Sequence, residues 1–448
     1  MQETLGTHQK ALSINLDSTI FGSFAEIGAG QEVARWFLRV GGASGTVAKT
    51  ISAYDKEVSD DLYGAGTRYV SKQRLQAMLD NEWGQLLAQL QPSRGAFTKF
   101  FSFVNTISAR NFSGTNDCHG WVGLRFLRMA GGQINDVILH VNLRDPSNIQ
   151  QQEAVGILGV NLLWATHHAL GSPEEFLASV FENLGLHRME IDCLEVSGPA
   201  FQGWDAQEIH ALLITGGYAQ AVVFSADNQF APANEVLYKR ALVLAPGRFG
   251  HLELLKRDLI GATLAGLPPD ELKESKGALG LFCLSPGPAT SDLNTLQLPE
   301  VVKLVDALKQ AGYGVIVFRS PELYVMSAFA NRYTKERIHF AIGLSVVVRV
   351  LEDRYKNLEG NLLEGMARLF TQNVRLVVHP MAAGELERWT REAGISGWSW
   401  DVSNGLVYAD QLRPAEPLCH LFKYLLSESW ILPHKTAVPD FPLTEPVV

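Results

Sequence analysis

Cysteine is scarce in this chain of 448 residues. There are four, at Cys118, Cys193, Cys283 and Cys419, with no CxxC pair among them. That spacing excludes a zinc ribbon and a dense disulfide framework, and reads as four reduced thiols in a cytoplasmic protein. Positive charge is also in deficit. Lys and Arg number 38 against 47 Asp and Glu, for a net charge of −9. A general nucleic-acid-binding surface is therefore not expected. No apolar run reaches the ~20 residues of a membrane-spanning helix. ILGVNLLWATHHAL is interrupted by histidines and FAIGLSVVVRVL by arginine. The opening segment MQETLGTHQKALSINLDSTIFGSF has no basic start followed by an apolar stretch, so neither a secretory leader nor an outer-membrane barrel is expected. No low-complexity tract and no repeat of solenoid period is present. At 46% hydrophobic and 19% charged residues, the composition is that of a folded globular chain.

The hydrophobic patterning gives an α/β protein in two styles. Over 1–150 the pattern is α+β. Val33, Trp36, Phe37 and Val40 share one helix face, as do Leu75, Leu79, Trp83, Leu86 and Leu90 in a helix over 72–91 that Pro92 is expected to end. FTKFFSFVNTISA, HGWVGLRFLR and NDVILHVNLRD then read as an antiparallel meander. From about 155, helices and strands alternate for some 190 residues, which predicts a mostly parallel, Rossmann-like sheet with helices on both faces. That pattern suggests one α/β unit over 151–270 and another over 271–448. PPDELKESKG is the expected linker, and CHLFKYLLSESWIL a closing helix before a proline-rich tail.

Several segments have the composition of a binding or catalytic site. Gly28-Ala29-Gly30 opens a helix, and Gly41-Gly42-Ala43-Ser44-Gly45-Thr46 follows with Lys49 beyond it. Glycines at a helix start let an anion approach backbone N–H groups. Gly28, Gly30, Gly42, Ser44, Gly45 and Lys49 are thus candidates for gripping a phosphate, although Val33 stands where GxGxxG has its third glycine. Close packing of helix on strand accounts for the same glycines. Cys118 and His119 offer a thiol beside an imidazole, but strand neighbours point to opposite faces. Pro246-Gly247-Arg248-Phe249-Gly250-His251 falls between a strand and a helix. It resembles a degraded nucleotidyltransferase pattern G-x-F-x-P-x-H-x-G-H, with Arg248 and His251 as the phosphate-contacting groups that this likeness implies. Arg332, Lys335 and Arg337 form a basic knot able to hold a phosphate or carboxylate, or to pair within the surface. Glu190 and Asp192 share one strand face, as acid and base, as a Mg²⁺ site, or simply as a polar face.

FGSFAEIGAGQEVARWFLRVGGASGTVAKTISAYDKEVSDDLYG, NDCHGWVGLRF, QQQEAVGILGVNLLWA, MEIDCLEVSGPAF, NEVLYKRALVL, NRYTKERI and LEGNLLEGMARLF together resemble a widespread bacterial family of about this length. Its members are labelled variously as nicotinate- or nicotinamide-nucleotide adenylyltransferases, or as TonB-dependent receptors. The first label implies nucleotidyl transfer, the second a barrel behind a signal peptide. The expectation is a cytoplasmic nucleotide- or phosphate-binding protein, nucleotidyltransferase-like if it is an enzyme. The partner is then a small anionic ligand or nucleotide, and no metal is assigned. The alternative is a non-catalytic scaffold that assembles with itself. Homo-oligomers are expected on either reading.

Overall fold

A computed structural model describes residues 5–29, 31–66, 68–227, 230–248, 258–268, 277–286, 298–352, 355–371 and 373–436, with the side chain of Arg248 excepted. The chain is a mixed α/β protein that divides into two units, 1–222 and 223–448. The division differs from the expected boundaries at 150 and 270 because each unit follows its own sheet. Among the described residues no helix is long and apolar enough to cross a membrane.

The first unit holds six strands: β1 (Ile20–Gly28), β2 (Val47–Ile51), β3 (Lys99–Ile107), β4 (His119–Leu127), β5 (Ile134–Leu143) and β6 (Met189–Ser197). Their order is β2-β1-β3-β4-β5-β6. β1 is parallel to β2 and β3, whereas β3 to β6 form an antiparallel meander. Residues beyond 150 therefore complete this sheet, since β6 pairs with β5. Helices α1 (Thr7–Leu16), α2 (Glu32–Arg39) and α5 (Asn148–His168) pack together. α3 (Lys56–Tyr63) packs on α4 (Lys72–Arg94), which covers β3 and β4. α6 (Pro173–Val180) packs on α5, and α7 (Ala206–Thr215) on β6.

Local chemistry explains several of these elements. Ser71, Ser147 and Ser172 cap α4, α5 and α6 by accepting backbone N–H bonds. α4 runs through Pro92 to Arg94, because one missing donor in a last turn costs little. α5 is buried on nearly every side, which its sequence shows as continuous apolarity rather than a stripe. Gly159 makes its close contact with α2 possible: a Cβ there would lie 2.3 Å from a methyl of Val33.

The second unit is built on a seven-stranded sheet. Its strands are β7 (Ala221–Phe224), β8 (Leu242–Arg248), β9 (Leu279–Ser285), β10 (Gly314–Phe318), β11 (Ile338–Gly343), β12 (Val374–His379) and a late strand at Ile431–Pro433. Short strands β13 (Met381–Ala382), β14 (Trp398–Trp400), β15 (Leu406–Val407) and β16 (Leu412–Pro414) intervene, so the late strand is β17. β17-β12-β11-β8-β9-β10 are successively parallel, and β7 lies outside β10. Taking β8 as first, this is the order 3-2-1-4-5-6 of the dinucleotide-binding fold. The closing helix is shorter than expected: it stops at Ser427, and Ile431–Pro433 joins the sheet instead. The expected linker at 269–276 lies outside the described residues.

The unit's helices are α8 (Ala233–Val236), α9 (Leu259–Gly266), α10 (Leu298–Gln310), α11 (Leu323–Tyr333), α12 (Leu344–Glu352), α13 (Asn361–Leu369), α14 (Ala383–Glu392) and α15 (Leu418–Ser427). α12 follows β11 without an intervening loop.

Candidate functional site

In the first unit, the carboxyl ends of β1 and β3, the start of β4, the end of β5 and the start of β6 fall at one edge of the sheet. Polar side chains gather there, and the strand alternation sorts them onto two faces.

On the face toward α2 and α5, Glu26 is buried at 1% exposure. Its carboxyl oxygens accept from the backbone N–H of Ala34 at 2.9 Å and Val33 at 3.4 Å, and from Asn105 Nδ2 at 2.9 Å. Burial pushes its pKa up, against the pull of these donors. The N-terminus of α2 is thus occupied by a carboxyl group of the protein itself. Gly28 has φ +88°, pairs with Ile107, and is followed by Ala29, whose N–H donates to Ile107 O at 3.0 Å. Gly42, with φ +73°, opens the tight turn Ala43–Gly45, where Gly45 N–H donates to Gly42 O at 2.9 Å and Ser44 is exposed. Lys49 Nζ lies 2.7 Å from buried Glu82 and donates to Gln85 at 2.9 Å. The glycine-rich segment is therefore accounted for by sheet packing, turn closure and internal pairing. Gly30 lies outside the described residues.

The face toward α4 carries a relay of three groups. Asp192, 5% exposed, accepts from His140 Nδ1 at 2.6 Å and from Asn142 Nδ2 at 2.9 Å. His140 Nε2 meets His119 Nδ1 at 3.1 Å. The ring of Trp121 packs edge-on to His140 with centroids 4.9 Å apart. Burial alone raises the pKa of Asp192; the His140 imidazole and the donors around it outweigh this and hold it below the usual carboxylate range. Burial, helped by neighbouring His140, lowers His119 to about 4. His119 is then neutral at pH 7. If His140 donates Nδ1–H to the carboxylate, its Nε2 accepts the His119 Nδ1–H. Such a chain is able to relay a proton between the sheet edge and a buried carboxylate.

The structure thus joins Asp192 to His119, separated by 73 positions in sequence, through His140, a residue that sequence reasoning missed. Alternation along NDVILHVNLRD places His140 on a defined face, but nothing local names its partners. Glu190, on the same strand face, lies 2.6 Å from Arg144. Cys118 precedes β4, its Sγ directed to Asn116 O at 3.7 Å, while His119 turns to His140.

In the second unit, a small pocket lies at the carboxyl ends of the parallel strands, where this fold places ligands. A pocket of about 70 Å³ is lined by Pro246 and Gly247 of β8, Ser285 of β9, Glu322 before α11, and Arg349 of α12. Tyr355 closes it. The break in strand order falls between β8 and β11, and α12 begins directly at the end of β11. Arg349 is exposed there, its guanidinium over the Trp389 ring at 5.7 Å. Among the described residues no carboxylate forms an ion pair with it. Residues 249–257, including His251, and the side chain of Arg248 lie outside the described set.

The basic knot falls elsewhere. Arg332 is in the last turn of α11, and Lys335 and Arg337 lie between that helix and the start of β11, at the amino edge of the sheet. Lys335 Nζ donates to Asn331 O at 2.9 Å, and Arg332 lies over the Tyr333 ring at 5.7 Å. The strand direction therefore separates these cations from the pocket with Arg349.

A buried imidazole marks the end of β12. His379 is 1% exposed, its Nε2 is 2.8 Å from Thr263 Oγ1, and its ring centroid is 4.3 Å from that of His434. Burial, with His434 beside it, lowers its pKa to about 3. An unfolded histidine titrates near 6.5, so between about pH 6.5 and 3 the unfolded chain binds the additional proton. This group's contribution to stability is complete above pH 6.5 and is lost as pH falls toward 3. Urea midpoints of the second unit should fall across pH 7 to 4, and less steeply in His379→Leu. Parallel pH profiles for the two proteins would refute the assignment.

No protein-family model matches the chain. No curated protein matches it either. Among solved structures, the chain is similar to the competence/damage-inducible protein CihA from Agrobacterium tumefaciens, at 20% identity and a TM-score of 0.26, over 37% of this chain and 98% of that one. A CinA-superfamily protein from Enterobacter cloacae is similar at 15% identity and 0.27, over 37% and 94%. One from Escherichia coli gives 12% and 0.25, over 37% and 91%.

Proposed function

We propose that the second unit binds a nucleotide or another phosphate-bearing small molecule at the carboxyl ends of β8 and β9, beside α12. The observation that carries this reading is Arg349, a guanidinium with no carboxylate partner among the described residues, in a pocket at the break of a 3-2-1-4-5-6 sheet. Such a break opens a crevice between loops that leave the sheet in opposite directions. A guanidinium fork matches phosphate oxygens in geometry and charge. The pocket is smaller than the roughly 300–1,000 Å³ of a complete cofactor site. It suits the phosphate end, with the rest of the ligand lying along the strand ends.

Thermal unfolding with ATP, NAD, nicotinamide mononucleotide and inorganic phosphate tests this. A ligand at about 100 times its Kd adds roughly 2.7 kcal/mol to the state that binds it. At least one nucleotide should raise the unfolding temperature, and Arg349→Gln should weaken its binding at least tenfold. The reading fails if none of the four ligands shifts the transition, or if Arg349→Gln binds as the unaltered chain does. Nucleotidyl transfer is the reaction class this reading admits; release of pyrophosphate from ATP in the presence of nicotinamide mononucleotide is its assay.

A further inference from the structure

The second unit also has a larger pocket, away from the strand-end residues just described. Its volume is about 760 Å³, within the range of small-molecule sites. Apolar side chains dominate it, among them Leu351, Leu362, Leu418 and Leu421, with Glu416 at its edge. Glu416 is also one of three potential metal ligands grouped where the chain turns into α15. Glu416, Cys419 and His420 stand at positions i, i+3 and i+4 at the start of α15, and their ligand atoms all lie within 4.8 Å of one another.

We infer that Glu416, Cys419 and His420 form a Zn²⁺ site at the rim of this pocket. Three features carry the inference. The donor set is a thiolate, an imidazole and a carboxylate, and this mixture suits Zn²⁺ rather than Mg²⁺ or Ca²⁺, which take oxygen ligands. The turn from Glu416 into the first residues of α15 brings all three ligand atoms within 4.8 Å of one another. A tetrahedral ion with bonds of about 2.0–2.3 Å needs donors about 3.4–3.8 Å apart. His420 Nε2 and Glu416 Oε1 are already 3.9 Å apart, and both side chains are exposed and free to adjust by rotamer. Three protein ligands leave a fourth position for water or a ligand atom, as in catalytic and ligand-binding zinc centres. Because Glu416 belongs to both the triad and the pocket wall, that open position adjoins the apolar cavity. The site is independent of the nucleotide reading, since it shares no residue with the strand-end pocket.

Calorimetric titration of the metal-stripped full-length chain with Zn²⁺ should show one equivalent bound with micromolar or tighter affinity. Loading with Co²⁺ instead should produce a thiolate-to-cobalt charge-transfer band, which Cys419→Ser should abolish. His420→Ala and Glu416→Gln should each weaken Zn²⁺ binding at least tenfold. All three positions are at the surface, so circular dichroism and thermal melts should match the unaltered chain. Absence of binding at 1 mM Zn²⁺ would overturn the proposal. So would a Cys419→Ser/His420→Ala double variant that keeps its stoichiometry and affinity, because the ion would then reside at other ligands.

Discussion

Asp192→Ala should lower the unfolding free energy of the first unit by about 2–6 kcal/mol, because it leaves two buried donors unsatisfied at about 1–3 kcal/mol each. The carboxylate is 5% exposed and takes both His140 Nδ1 and Asn142 Nδ2. Truncation strands two donors where water has little access, and Asn142 Oδ1 is already buried without a partner. Asp192→Asn should lose less. Its carbonyl still accepts from His140, and Asn142 is able to turn its unpartnered oxygen toward the new amide. Urea unfolding followed by tryptophan fluorescence gives both numbers, with Trp121 near His140 as a local probe. The pH response should change as well. The folded pKa of Asp192 is depressed, so its stabilisation is complete above the usual carboxylate range and is lost as pH falls through the folded value. Asp192→Asn removes that acid-side loss. A cost below 1 kcal/mol for Asp192→Ala would mean that the relay is hydrated and loosely held.

Gly28→Ala should cost about 3 kcal/mol or more without any ligand present. Two penalties combine: a left-handed backbone costs a non-glycine residue roughly 1–3 kcal/mol, and overpacking costs about as much again. A Cβ at Gly28 would lie 1.8 Å from the carbonyl oxygen of Ile107, a backbone atom fixed by the β1–β3 ladder. The strand ends must part for the substitution to fit. This result separates the two readings of the glycine-rich segment. A glycine kept for a ligand would tolerate alanine in the free protein and lose affinity; a glycine kept for packing loses stability first. Near-unaltered melting of Gly28→Ala would return the segment to the anion-binding reading.

Much of the fold was legible because it is local. The meander announced itself through alternating, β-branched and aromatic runs separated by turns, and β3, β4 and β5 fall on those runs. The alternation of strand and helix from about residue 155 announced a parallel sheet. Pairings between distant segments were not legible. Ile431–Pro433 reads as the end of a helix until β12 supplies an edge for it to join. The 150 boundary failed for the same reason: nothing local in Met189–Ser197 says that β5 is its neighbour.

Of the candidate site residues, the sequence alone determined which carry reactive chemistry, and on which strand face Glu190, Asp192 and His119 stand. A period of two fixes that much before any tertiary contact forms. Tertiary structure decided what each one meets. It gave the start of α2 to Glu26, drew Lys49 to Glu82, linked Asp192 to His140 and His119, and left Arg349 at the break in a parallel sheet. The physical reason is range. Propensity and periodicity act over a few residues, while hydrogen bonds and ion pairs depend on distances that are set only when strands from distant parts of the chain align.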